Sequence, residues 1–377
     1  MVAQSQDAGG EGALDGLIVL ELADGVAGAY AGRLLADLGA RVVLLEPLGG
    51  SRIRRLGPFP GKETYPAPDN LDAELLECGG LHLALDAGKE SIALDLDTPL
   101  GRQRLADLVC GSDALIGSMP PAELARLGVD LDAFEAKNPA LVYAAATPFG
   151  WDGPHAQRCS SEIASYAMGG SMYFCGDPER EPLMVHSYQA ELHAGMQLAF
   201  GTLAALSEAA KSKRGQRVEV SAQEAMISDQ VWLGSSWQWG GQVWRRQGTG
   251  LIPCVDGAVI WGRASPEVFL MMGRPELMDD PRAASQEGWL EWLPEVREML
   301  IEWARDRHVT GCLSLCVSVA CGCALNRSES VGIQPVQTSD PGRNHRVHFS
   351  ACGTATVKQS YTFGNRPHPG KGGCPKG

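Results

Sequence analysis

Basic residues are scarce in this 377-residue chain: 32 Lys and Arg stand against 45 Asp and Glu, a formal charge of −13. Nucleic-acid binding needs a basic stripe that stands out from its surroundings. None is visible, which argues against a nucleic-acid partner. Long apolar runs are also missing. The longest, residues 312–325, spans about 14 positions interrupted by Ser, Gly and Cys, against the roughly 20 a spanning helix needs. No membrane segment is expected. Residues 1–15 are Gly-rich and polar, without the basic start and apolar core of a signal peptide. They read as a disordered lead-in, and the expected location is cytoplasmic.

Paired cysteine knuckles are absent as well. The 11 Cys are odd in number, and Cys78, Cys110, Cys159, Cys175 and Cys254 are scattered through the body, as reduced thiols are and a disulfide framework is not. His308, Cys312, Cys316, Cys321 and Cys323 crowd together, but their spacing is not the C-x₂-C pairing of structural zinc sites. No metal is expected. Nor is there a dinucleotide fingerprint: Gly25, Gly28 and Gly32 read G-x-x-G-x-x-x-G where a pyrophosphate cradle needs G-x-G-x-x-G. That spacing weighs against a nicotinamide-dependent oxidoreductase.

What is present is an alternation of strand and helix. Residues 17–21 (LIVLE) form an apolar run, followed by a Gly turn over 24–28 and a helical stretch with Leu34, Leu35 and Leu38 on one face, closed by Gly39. A second strand over 42–45 implies a right-handed crossover and a parallel sheet. Further strands are predicted at 91–96, 114–116, 141–146 and 217–220, with helices at 99–109, 191–210 and 222–232. The Pro- and Gly-dense stretch 148–154 is a loop at a strand end, where α/β folds keep their chemistry. A Trp- and Gly-rich crossover follows over 232–250. A hairpin then starts near 254–263, with helices over 266–272 and 293–305.

The expected fold is therefore α/β, with a Rossmann-like large domain over 16–232 and a linker with a small domain over 233–308. An irregular tail follows over 309–377. The tail has only Glu329 and Asp340 against seven Lys or Arg, so it carries +5 while the rest carries −18. Weak periodicity with a reversed charge balance reads as disorder, and a shift of reading frame is the preferred origin.

Six segments occur in order: LELADGVAGAYAGRLLADLGARVVLLEP, GKESIALDL, RLGVDLDAF…NPALVYAAATPFGWDGP, EIASYAMGG, RGQRVEVSAQEA and GRPELMDDPR. Together, over about residues 14–305, the chain resembles the family III (CaiB/BaiF type) CoA-transferases, which include formyl-CoA transferase and the carnitine and bile-acid CoA-transferases. The resemblance implies an interlocked homodimer, and a coenzyme A thioester and a carboxylic acid as substrates, with no permanently bound cofactor. It also implies a carboxylate that attacks the thioester beside an oxyanion site.

In that family the nucleophile is usually Asp in D-x-x-x-x-A-M-x-G, and the matching residue here is Glu162. Its extra methylene moves the carboxylate by about an ångström, a displacement that can cost ~10²-fold in rate. The plainer reading makes Glu162 a first-turn residue favoured by its helix dipole, with Ser160 or Ser161 as N-cap. The turn Gly25, Val26, Ala27, Gly28 matches the loop that approaches the thioester; the alternative is a turn that only packs helix on sheet. Arg54, Arg55 and Lys89, with Arg52, fall where the family places cations near the CoA phosphates, or they form a solvated surface cluster. Phe149 fits an aromatic position, whereas Ser118-Met119 replaces the family's Asn-Phe. Gly248 and Gly250 are the nearest equivalent of the Gly-rich loop that covers the intermediate. Two alternatives within the superfamily are an inactive CoA-binding paralogue and an α-methylacyl-CoA racemase. The racemase's His is missing from 144–150, and His155 is the nearest candidate.

Overall fold

The computed structural model describes residues 12–59, 79–176, 180–241, 243, 250–261, 265–318 and 323–326. Contacts divide the chain into two units, Glu11–Ser330 and a second made of Met1–Gly10 with Val331–Gly377. The second lies outside the described residues.

Six strands form one wholly parallel sheet: β1 (Ile18–Leu22), β2 (Arg41–Glu46), β3 (Glu90–Ala93), β4 (Ala114–Gly117), β5 (Val142–Thr147) and β6 (Arg217–Ser221), in the order β3-β2-β1-β4-β5-β6. The expected α/β sheet is thus present, with strand limits within a few residues of those read from the sequence. Because successive side chains point to opposite faces, the central strands serve two cores. Val19, Val42, Ile116, Val142 and Ala144 face helices α1 (Val26–Asp37) and α7 (Gln189–Ser212). Leu20, Val43, Leu115 and Tyr143 face α3 (Pro99–Cys110) and α5 (Leu131–Lys137). Between these lie the short helices α2 (Gly80–Leu85), α4 (Pro121–Arg126) and α6 (Glu162–Met168). Helix α8 (Ala222–Ser228) follows β6.

Helices α1 and α7 cross closely because small residues line both. A Cβ on Gly195 would lie 2.5 Å from the Ala27 carbonyl oxygen, so backbone meets backbone there. The end of α1 is set by Gly39, whose φ of +102° suits glycine. Leu14 donates to the Leu38 carbonyl at 3.0 Å, so residues 12–15 pack on α1 and are not part of the expected disordered lead-in.

The strand order reverses direction between β1 and β4. In open α/β sheets that switch point opens a crevice at the carboxyl ends of the strands. Here the two ends are tied: the Asp24 amide donates to Ser118 Oγ at 3.1 Å, and the Arg52 amide to Asp24 Oδ1 at 2.8 Å.

A separate antiparallel sheet, in the order β7-β8-β9, contains β7 (Gly250–Cys254), β8 (Gly257–Trp261) and β9 (Cys323–Asn326). It packs with α10 (Val268–Met272), α11 (Gln286–Ala304) and α12 (Val309–Ser318) around Ile252, Val259, Phe269, Trp292 and Val296. Three expectations are corrected. Residues read as a crossover instead contain α9 (Val231–Gly240), and the hairpin begins at Gly250 rather than near 254. The break expected at 309 does not hold for α12 and β9: Val309 and Cys312 are buried in the small core, and β9 pairs with β8. The physical reason is a distant cap, since Asp256 in the hairpin turn accepts from the Val309 amide at 2.8 Å. The rest of the expected tail, 327–377, lies outside the described residues.

Candidate active site

The first turn of α1 begins at Gly25, which has no side chain to cap the helix's free N–H groups. Glu191, in the first turn of α7, fills that role from across the crevice: its Oε2 accepts from the Val26 amide at 2.6 Å. The same arrangement is repeated one step away. Glu162 is a first-turn residue of α6 with Ser161 as N-cap, as the plainer reading held, but its side chain serves a different helix. Its carboxylate reaches the start of α7, accepting from the Ala190 amide at 2.7 Å and from the Glu191 amide at 3.2 Å. Ser161 is the N-cap of α6 but makes no side-chain capping bond.

Glu162 is half-buried, and burial pushes its carboxyl above the ordinary carboxylate range. The two amide bonds oppose this shift, the neighbouring Glu191 charge adds to it, and His193 reduces it. His193 pairs through Nε2 with Asp229 at 3.2 Å. A small cleft beside this cluster is lined by Gly25, Val26, Arg52, Ile53, Tyr188 and Glu191. The turn residues predicted for the site, Gly25 and Val26, are therefore together with the residue that binds both helix starts. Ala27 and Gly28 are buried in the packing of α1: a Cβ on Gly28 would lie 2.1 Å from that of Ala23.

The predicted cations divide. Arg52 lines the cleft, and its guanidinium has no ion-pair partner among the described residues. Arg54 is instead bidentate to Glu46, Nε to Oε2 at 2.7 Å and Nη2 to Oε1 at 2.8 Å, with His82 at 2.9 Å from Nη1. Burial raises the Glu46 pKa, but Arg54, Ser91 and the Ser51 amide outweigh it and bring it to about 2.

The Lys89 side chain is only 1% exposed, and its Nζ lies 2.8 Å from both Glu21 Oε2 and Asp86 Oδ1, while His82 Nδ1 is 2.8 Å from Asp86 Oδ2. Burial pushes Glu21 up to about 7 against the pull of Lys89. Arg54 and Lys89, expected near CoA phosphates, are therefore engaged in ion pairs with buried carboxylates and are not among the residues lining the cleft. Each neutralises a carboxylate buried in the sheet, and releasing either would strand that charge. Arg55 donates to the Gly49 carbonyl at 3.0 Å, away from the cleft lining.

Phe149 is half-buried in the loop after β5, its ring centroid 5.7 Å from that of His155. Gly250 is a strand residue paired with Trp261, not a loop residue, and Gly248 lies outside the described residues. Glu191 and Tyr188 were not identified from sequence. The available signal was an acidic residue in the first turn of a long helix, which by itself marks only a favourable helix start.

Comparison with known proteins bears on the family and the fold. The family model described as CoA-transferase family III matches residues 14–350, past Arg305 where the recognised motifs end. Succinate–glutarate CoA-transferase of Agrobacterium fabrum is 29% identical over 79% of this chain and 77% of its own length. Formyl-CoA:oxalate CoA-transferase of Streptomyces avermitilis is 31% identical over 78% and 75%. The crystal structure of a CaiB/BaiF family protein from Brucella suis superposes with a TM-score of 0.72 at 26% identity, covering 84% of each chain. With a family match across most of its length and the same fold as a CaiB/BaiF protein, the chain belongs to CoA-transferase family III.

Proposed function

We propose that the protein moves CoA from an acyl-CoA thioester to a carboxylic acid, with Glu162 as the covalent carboxylate. The observation that carries this is the Glu162 side chain itself. It is a half-buried carboxylate on two backbone amides at the start of α7, next in a chain of contacts to the Gly25–Val26 turn. Glu162 attacks the thioester carbonyl and CoA leaves as thiolate, giving a mixed anhydride. The thiolate then attacks the Glu162 acyl carbon, forming a glutamyl-CoA thioester and releasing the donor acid. The acceptor carboxylate attacks that thioester, the thiolate leaves again, and its return to the acceptor carbonyl gives the product and free Glu162. The Ala190 and Glu191 amides are aimed at Glu162 oxygens, so they can stabilise the oxyanion that forms there when the thiolate or the acceptor carboxylate attacks the Glu162 acyl carbon, and the carboxylate that leaves in the last step.

Arg52 is the candidate partner for CoA phosphate, and succinate, glutarate, oxalate and formyl-CoA, named for the relatives, are the first substrates to try. A CoA thioester as substrate leaves no permanent cofactor in this reading. An interlocked homodimer would cover the exposed apolar side chains of α7 and α9, where Phe200 is 75% exposed and Trp239 86%. A cytoplasmic location fits the free thiols Cys110, Cys159, Cys175, Cys254 and Cys312. The racemase alternative has less support, because His155 packs on Phe149 and is not among the partners of Glu162.

The test is Glu162→Gln, which keeps the shape and removes the nucleophile. CoA transfer should fall by at least ~10³-fold, with CoA binding retained. Transfer at the wild-type rate would reject Glu162 as the nucleophile.

A further inference from the structure

We infer that Glu191 is a positioning residue that sets the Gly25–Val26 turn in register with Glu162, an inference that rests on the proposed carboxylate mechanism. Glu191 binds both sides of the site at once. Its main-chain amide donates to Glu162 Oε2 at 3.2 Å, and its side chain accepts from the Val26 amide at 2.6 Å. No other described residue is bonded to both.

The geometry leaves this link little slack. Val26 is buried, so its amide has no water to turn to if Glu191 is removed. A Cβ on Gly25 would lie 3.3 Å from Glu191 Oε2, so the turn already lies against the carboxylate. One turn further along α7, Gly195 brings the backbones of α7 and α1 together at Ala27. The contact at Glu191 is therefore the open, site-facing end of a rigid helix pair, and both its partners line or adjoin the cleft.

Glu191 also places a negative charge beside the nucleophile, which raises the Glu162 carboxyl while His193 lowers it. The charged and titratable groups around the pair are His193 on α7, Asp229 after α8, Tyr166 on α6 and Arg52 in the cleft. Removing the Glu191 charge alone therefore lowers the pH at which Glu162 ionises.

The experiment compares the full-length wild type with Glu191→Gln and Glu191→Ala in acyl-CoA:acid transfer across pH, alongside thermal melting. Glu191→Ala should lose about 100-fold in kcat/KM, carried mainly by kcat, as expected for a misplaced reacting group. Glu191→Gln keeps an acceptor oxygen for Val26, so it should recover to within about tenfold of wild type. The acid limb of its kcat/KM profile should move to lower pH, which a purely structural role would not produce.

Two results would overturn the inference with the mechanism intact: either variant within twofold of an active wild type, or an unmoved acid limb in Glu191→Gln. If Glu191→Ala does not fold, the Gln variant decides alone. A wild type that transfers CoA from no donor rejects the carboxylate mechanism, and this inference with it.

Discussion

A carboxylate in the middle of a parallel sheet needs a counterion, and this requirement decides which cations are free to bind substrate. Glu21 sits in the central strand β1 with Lys89 against it, and Glu46 at the end of β2 holds Arg54. The sequence displayed the cations but not their partners, because a lone Glu at a strand end looks like an ordinary solvent-facing residue. The Glu21 position between Leu20 and Leu22 was the one signal available. Lys89→Met should therefore destabilise the fold by about 3–5 kcal/mol in chemical denaturation, since it strands two buried carboxylates. Arg52→Ala should leave the denaturation midpoint in place and weaken CoA binding in calorimetry. A stable Lys89→Met with lost CoA affinity would reverse the two roles.

Glu21 also makes a pH prediction. Its pKa is raised by burial to about 7 in the fold, so the folded state holds its proton more tightly than the unfolded chain. The stability it contributes is full below about pH 4.5 and is lost as pH rises through about 7, an effect of ~3 kcal/mol. Wild type should lose denaturant resistance between pH 5 and 8, and Glu21→Gln should flatten that decline. Parallel profiles for the two proteins would contradict the assignment.

Elements whose stability is local were legible, and elements held by distant partners were not. Strands β1 to β6 and helices α1, α3 and α7 carry their own periodicity, so their limits fell within a few residues of the reading. Helix α9, with Gly234 and Gly240 among Trp residues, carries little helix propensity. Helix α12 has two Ser, two Cys and one Gly in ten residues, and its cap comes from Asp256, 53 positions away. Asp256→Ala should lower the denaturation midpoint slightly and raise amide hydrogen exchange across residues 309–318. Unchanged protection there would show that the cap is dispensable. The α1–α7 crossing predicts the opposite kind of defect, overpacking. Gly195→Ala meets a backbone oxygen that cannot rotate away, so a loss of about 1–3 kcal/mol is expected despite the better helix propensity of Ala. A neutral or stabilising result would mean that the helices can separate without cost.

For the molecule as a whole, fold and family follow from the same collinear segments, whereas the site depends on contacts between residues far apart in sequence. Glu162 was legible through its motif. Its setting was not, because Ala190 and Glu191 lie 28 and 29 positions away. Assembly belongs to this scale too. Light scattering should give twice the monomer mass for wild type, and Trp239→Glu with Phe200→Glu should shift it toward the monomer. A wild-type monomer at micromolar concentration would leave those exposed apolar groups without the proposed cover.

The most direct measurement is on Glu162 itself. The protein is incubated with succinyl-CoA or formyl-CoA, reduced with borohydride to trap an acyl-enzyme thioester as an alcohol, and digested with trypsin. The cleavage product spanning residues 159–180 is then sequenced by mass spectrometry. The account predicts reduction at Glu162, dependent on acyl-CoA and absent with free CoA. Turnover of the same acyl-CoA with that peptide unmodified would contradict it.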